Sequence, residues 1–251
     1  MWYPIFLCTF ASLATALGGL IVILFKKISD KTMSICQGFA GGVMLTVSFL
    51  DMLPHCYNNS IKYMEKSYAI AGIIGLFVAG WVIGVLIESL VVPKQTNEKG
   101  QIYTARKLAF ITTAVIVMHN LPEGVLTIFS GINNPRFGLS MAFAIALHNL
   151  PEGIAIAAPV LYVTNSKSKA FLQSLFTGFA ELFGGLIALG LFHSFINESF
   201  INGLLAIISG IMVQASICQL IPTGAKFSRY KDVFIGVLLG VIVMCLGMFI
   251  I

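Results

Sequence analysis

Charge is what this sequence has least of. Aspartate, glutamate, lysine and arginine make up 10% of its 251 residues, against 58% hydrophobic ones, and the mean hydropathy is +0.94. A chain so poor in charge cannot coat a water-soluble domain of this length. No stretch is left over for a soluble domain or a low-complexity tail, and no basic cluster forms a nucleic-acid footprint. The cysteines include no Cys-x-x-Cys pair: Cys8, Cys36, Cys56, Cys218 and Cys245 are scattered through apolar runs and read as small apolar filler. The first apolar run has no basic residue before it and no small-residue cleavage site after it, so it reads as a permanent span and not a removable signal.

What is present are apolar segments long enough to cross a hydrocarbon core of about 30 Å. Eight are predicted, near 3–25, 33–57, 69–92, 108–131, 137–163, 170–193, 200–225 and 233–251, giving an all-α membrane protein with 1–251 as a single polytopic domain. Lys26, Lys27, Lys31, Lys94, Lys99, Arg106, Lys107, Lys167, Lys169, Lys226, Arg229 and Lys231 fall in or beside the odd-numbered loops; only Lys62, Lys66 and Arg136 fall beside the even ones. Basic residues concentrate on the cytoplasmic side, so both termini are predicted on the extracytoplasmic side of a plasma (inner) membrane. The net charge of +5 is thereby a topology signal.

Inside the fourth and fifth spans a hexapeptide occurs twice, as "HNLPEG" at 119–124 and again at 148–153. On a helix the asparagine follows the histidine by about 100° and the glutamate lies at about 40°, so all three share a face with the carboxylate in the middle. Pro122 and Pro151 have no N–H to give and release the carbonyls of Met118 and Leu147 one turn back. Gly124 and Gly153 allow another backbone to come close. Facing one another on antiparallel helices, the two motifs collect His119, Asn120, Glu123, His148, Asn149 and Glu152. That mixed nitrogen and oxygen shell suits zinc and its first-row neighbours better than magnesium or calcium. Each glutamate lies between its histidine and its asparagine, which places the carboxylates to bridge two ions.

The bland alternative is a polar staple between two helices. Glu123, Glu152 and Glu181 all fall deep within spans, at about 2.5–3.5 kcal/mol each if ionised at the bilayer centre. No lysine or arginine lies within any predicted span, so a staple made of salt bridges has no cation to use; protonated carboxyls or a bound metal remain, and two histidines at matching depth favour the metal.

A longer repeat is also present. "GGVMLTVSFLDMLP" at 41–54 aligns with "SGIMVQASICQLIP" at 209–222, and "ATALGGLI" at 14–21 with "AELFGGLI" at 180–187, where Thr15 stands against Glu181. Spans 1–3 are thus echoed by 6–8 in opposite orientation around the central pair, spans 4 and 5. Such inverted repeats are the plan of secondary transporters, with the substrate site near the midplane. Met44, Ser48, Asp51 and His55 also form one stripe along span 2, read as an access route from the outer end or, alternatively, as a helix end dipping into water. Glu88 and His193 read as interfacial, and Gln214 and Gln219 as candidates for an inner route.

Taken with "GFAELFGGLIA" in span 6 and "GFAGGVMLTVSFLDMLP" in span 2, the paired hexapeptides resemble the ZIP family of divalent metal transporters, in its ZupT-like bacterial branch. The resemblance covers nearly the whole chain. It implies an eight-helix bundle, usually homodimeric, that brings Zn2+ into the cytoplasm, often with Fe2+, Mn2+, Co2+ or Cd2+, through a binuclear midplane site. Carried over by position, it implies a first site of His119, Glu123, His148 and Glu152 with Met44 as a soft ligand. The second site is then Asn120, Asn149 and Glu181, sharing Glu123 and Glu152. Two departures stand out: the loop at 93–106 is short and free of histidine, and span 6 has Phe183 after "AEL" where related sequences commonly read Glu-Pro, which bears on the geometry around Glu181. The rival readings are a membrane-embedded di-metal enzyme, which needs a further general base and a substrate cleft, and a passive ion channel, distinguished by its faster flux.

Overall fold

In a bilayer every backbone N–H and C=O must find its partner inside the protein, and a helix satisfies a single segment by itself. The computed structural model describes residues 2–91, 100–191 and 197–250; within them the chain is helical, with no strand, and eight helices are long and apolar enough to cross a membrane. They are α1 (Trp2–Ile23), α2 (Asp30–Ser60), α3 (Lys66–Val91), α4 (Gln101–Asn133), α5 (Pro135–Thr164), α6 (Lys167–Leu191), α7 (Glu198–Gly224) and α8 (Tyr230–Ile250). His193, Lys94 and Lys99 lie outside the described residues.

The apolar segments locate all eight helices, with one clear difference in extent. α4 begins at Gln101, not near 108, because its polar first two turns continue the helix beyond the apolar stretch that hydropathy detects. Gly100, at φ 110°, is the left-handed residue that starts it. Elsewhere the starts are side-chain caps: Ser29 Oγ accepts from Thr32 N (3.1 Å) and Asn197 Oδ1 from Phe200 N (2.9 Å).

α2 and α7 share an irregularity. Each contains a π-helical turn, Ser48–Met52 in α2 and Ala215–Leu220 in α7, and each turn runs directly into a proline, Pro54 or Pro222. Neither proline can donate to the carbonyl four residues back, and the wider turn re-registers the ladder so that Leu53 N bonds Ser48 O and Ile221 N bonds Ser216 O.

The bundle is drawn together at glycines. A Cβ on Gly153 of α5 would overlap the Thr15 carbonyl oxygen of α1, and one on Gly18 that of Leu150. On the other side, a Cβ on Gly124 of α4 would overlap the Glu181 carbonyl of α6, and one on Gly184 that of Leu121. α2 and α8 meet likewise through Gly42 at Val237 O, and α7 and α3 through Gly210 at Phe77 O. Backbone contact this close maximises dispersion where lipid removes the hydrophobic drive to pack. α3 and α8 are the least covered helices, with 17% and 33% of their apolar windows buried.

These contacts predict a contrast among glycines. Gly153→Ala or Gly124→Ala forces two helices apart and is expected to cost about 1–3 kcal/mol or more, lowering the melting temperature of the detergent-solubilised protein. Gly72→Ala in α3, where nothing lies within 4 Å of the added carbon, should leave it unchanged. Equal melting temperatures for all three would show that the close approaches carry no stability.

Candidate metal centre

The junction between α4 and α5 is one residue long. Asn134 Oδ1 accepts from Arg136 N (3.0 Å) and Phe137 N (3.2 Å), and Pro135 opens α5 with its ring already set for a helix. So short a turn makes α4 and α5 antiparallel neighbours, and Gly138 meets Gly131 immediately beyond it. His119 stands fifteen residues before Asn134 and His148 fourteen after it, so the turn itself brings the two hexapeptides to matching depth.

At that depth the motifs pair crosswise. His119 Nε2 lies 3.0 Å from Glu152 Oε1, and His148 Nε2 lies 3.4 Å from Glu123 Oε1. The first pair has hydrogen-bond geometry and the second does not: both Glu123 oxygens and both His148 ring nitrogens lack a hydrogen-bond partner among the described residues. All four side chains are buried, and ligand atoms of His119, Glu123 and Glu152 fall within 4.8 Å of one another. No lysine or arginine is buried among the described residues. Two carboxylates and two imidazoles therefore converge with several unpartnered oxygen and nitrogen atoms and no lysine or arginine beside them among the described residues, a donor set complementary to a divalent ion.

Asn120 adds a terminal amide atom 3.3 Å from both His119 Nε2 and Glu152 Oε2. With nitrogen in that place the amide donates to Glu152 and to Ile116 O (3.0 Å); with oxygen there it joins a ring of acceptors. Asn149 is oriented by α1 and α6, its Nδ2 donating to Ala11 O (3.0 Å) and to Glu181 Oε2 (2.7 Å), which leaves its Oδ1 buried and unpaired. Glu181, fully buried, also accepts from Thr127 Oγ1 (3.2 Å). Phe183 is 63% exposed, and α6 runs as one continuous helix through Glu181.

The residues of the α2 stripe divide. Met44 is buried in the apolar cluster that includes Leu126 and Ala155. Ser48 is buried, its hydroxyl donating to Met44 O (2.8 Å), and it lines neither of the two cavities that His55 joins. Asp51 and His55 line a narrow cavity of about 20 Å³, room for about one water, that ends at His148. His55, stacked on Phe137 at 5.4 Å, also lines a cavity of about 500 Å³ with Asn59, Lys62, Tyr63, Glu198 and Asn202. That larger cavity lies at the face where α1 begins and α8 ends; it shares His55 with the narrow one, whose walls on the way to His148 are mostly apolar, among them Val47, Met52, Leu126 and Leu205.

Several contributors are not readable from the hexapeptides. Thr127, one turn past Glu123, holds Glu181. Asn59 binds His55 Nε2 (2.9 Å) and Asn202 Oδ1 (3.2 Å), joining α2 to α7 beside the wide cavity. Gln214 and Gln219, expected on an inner route, instead turn their amides to Glu88 Oε2 on α3 at 2.9 and 3.4 Å.

Comparison with known proteins agrees with this geometry. The family model described as ZIP Zinc transporter matches residues 91–248, more than half of the chain. The chain is similar to the zinc transporter ZupT of Chlorobium chlorochromatii, 32% identical over 254 residues, covering 96% of this chain and 95% of that protein. Against the zinc transporter ZupT of Enterobacter sp. (strain 638) the identity is 32% over 255 residues, covering 99% and 96%. Against that of Corynebacterium glutamicum it is 31% over 259 residues, covering 99% and 98%. Proteins of this kind move an ion and transform no substrate, so the di-metal enzyme falls away as an alternative. Near-complete mutual coverage, two hexapeptides at one depth and eight membrane-length helices lead to one assignment: the chain belongs to the ZIP family of zinc transporters.

Proposed function

We propose that this protein carries zinc into the cytoplasm through a binuclear site shared by the two hexapeptides, with the whole chain acting as one transport unit. The observation that carries the reading is the crosswise approach of His119 to Glu152 and His148 to Glu123 where no lysine or arginine is buried among the described residues. The first ion is held by those four residues, with Met44 as a soft ligand from α2. The second is held by Asn120, Asn149 and Glu181 and shares the two hexapeptide carboxylates. Asn120 contributes by rotating its amide so that oxygen faces the ion. The mixed donor set extends the cargo to Fe2+, Mn2+, Co2+ and Cd2+.

The face that bears the wide cavity is extracytoplasmic. Support comes from the described basic residues, ten of which lie at the opposite face and only Lys62, Lys66 and Arg136 at this one. The ion enters past His55 and Asp51. The two halves of the bundle form an inverted repeat, a reading supported by the matched dockings of Gly153 at Thr15 with Gly124 at Glu181, and of Gly18 at Leu150 with Gly184 at Leu121. The sparsely covered faces of α3 and α8 are available to lipid and to a second copy in a homodimer.

Three outcomes follow. Glu123→Ala should lower zinc uptake into proteoliposomes by more than about tenfold, the scale on which even outer-shell partners matter, while the protein remains folded; near-normal uptake would favour the polar staple. Glu181→Ala should bind one zinc per chain where the wild type binds two, by metal analysis of purified protein, and an unchanged count would leave Glu181 as a packing residue. Tags at either terminus should be accessible from outside intact cells, and protection of either one would invert or break the topology.

A further inference from the structure

On the side of the paired motifs away from the wide cavity, the stripe of α2 that carries Met44 continues to a second set of donor atoms. Gln37 lies seven residues before Met44, about two helical turns or some 10 Å further along the axis, and Met33 one turn beyond that. Both side chains are fully buried. On α5 Gln37 meets Ala155, three residues past Glu152.

Local chemistry fixes how Gln37 sits. Pro159 has no N–H, so the Ala155 carbonyl lacks its usual donor one turn on, and Gln37 Nε2 supplies the missing hydrogen bond at 3.1 Å. The same nitrogen is 3.9 Å from Met33 Sδ. Only nitrogen can serve these two acceptors, and the opposite end of the amide is left stranded: Gln37 Oε1 is buried and accepts from no donor among the described residues. Burying an amide oxygen unpaired is unfavourable, and an apolar residue of the same size would avoid it.

A half-turn of the amide reverses the polarity of the position. Oε1 then stands where Nε2 was, beside the Ala155 carbonyl and the Met33 thioether, and three acceptors face one point. We propose that Gln37, Met33 and the Ala155 carbonyl form a transient binding position for the transported divalent cation on the release side of the paired motifs. With nitrogen forward the amide seals α2 against α5; with oxygen forward it coordinates. The position holds no carboxylate, so it binds a dication weakly, which is what passage onward requires. Its thioether biases it toward softer ions. The inference rests on the metal-site reading of the hexapeptides.

Gln37→Glu tests it by converting a weak position into a trap. Zinc-loaded, purified protein should hold one more ion per chain than the wild type, and uptake should fall at least several-fold. Met33→Leu, which keeps the volume and removes the sulfur, should lower the ratio of cadmium to manganese uptake. The wild-type zinc count checks the hexapeptide site separately: no bound zinc there defeats that reading, whereas zinc in the wild type with no extra ion in folded Gln37→Glu defeats this one alone. Should Gln37→Glu not fold, an unchanged cadmium-to-manganese ratio in Met33→Leu overturns the proposal.

Discussion

Two buried carboxylates that, among the described residues, no lysine or arginine reaches set the terms for everything around them. Glu123 and Glu152 sit at the centre of a helix bundle in hydrocarbon, where an ionised group costs several kcal/mol unless paired. A structural ion pair would be answered by a cationic side chain held in place. Here the answering groups are imidazoles, which present a lone pair to a metal and can also share a proton. His119 and Glu152 hold one another by a hydrogen bond at 3.0 Å, while the Glu123 and His148 atoms stay unpartnered among the described residues, a set complementary to a dication.

Proline and amide side chains extend this logic along the helices. Each proline inside α4 and α5 removes one N–H and frees one carbonyl, and at Ala155 the freed oxygen is met by Gln37 from α2. Asn120, Asn149 and Gln37 each have one end committed to the surrounding helices and an alternative use for the other. An amide is suited to this role because it offers a donor and an acceptor at nearly the same position and exchanges them by one bond rotation. The glycines supply the complementary property, rigidity: where backbones touch, as at Gly153 and Gly124, the hexapeptides are held against α1 and α6 without intervening side chains.

Much of this was legible in the sequence because it is local. The shared face of His119, Asn120 and Glu123 follows from helical spacing, and eight apolar runs locate eight helices. The identity of the partners was not local. Which histidine meets which glutamate depends on the one-residue turn at Asn134, which sets antiparallel register and makes the pairing crosswise. Thr127 looked like one more small residue in a span until α6 placed Glu181 beside it. Gln214 and Gln219, five residues apart at the wider π-helical spacing, both reach Glu88 of α3, a partner on another helix that periodicity at 3.6 residues does not reveal. Gln37 lay on the right stripe, but its significance came from a proline on another helix.

The central claim is that imidazoles from both hexapeptides share one cation with the crossed carboxylates. X-ray absorption at the zinc edge of purified, zinc-loaded protein in detergent reads the coordination shell directly. The account predicts a first shell of nitrogen and oxygen at about 2.0–2.2 Å with outer-shell scattering from two imidazoles, reduced to one in His148→Ala. A shell of oxygen alone, with no imidazole scattering and no change in His148→Ala, would contradict it.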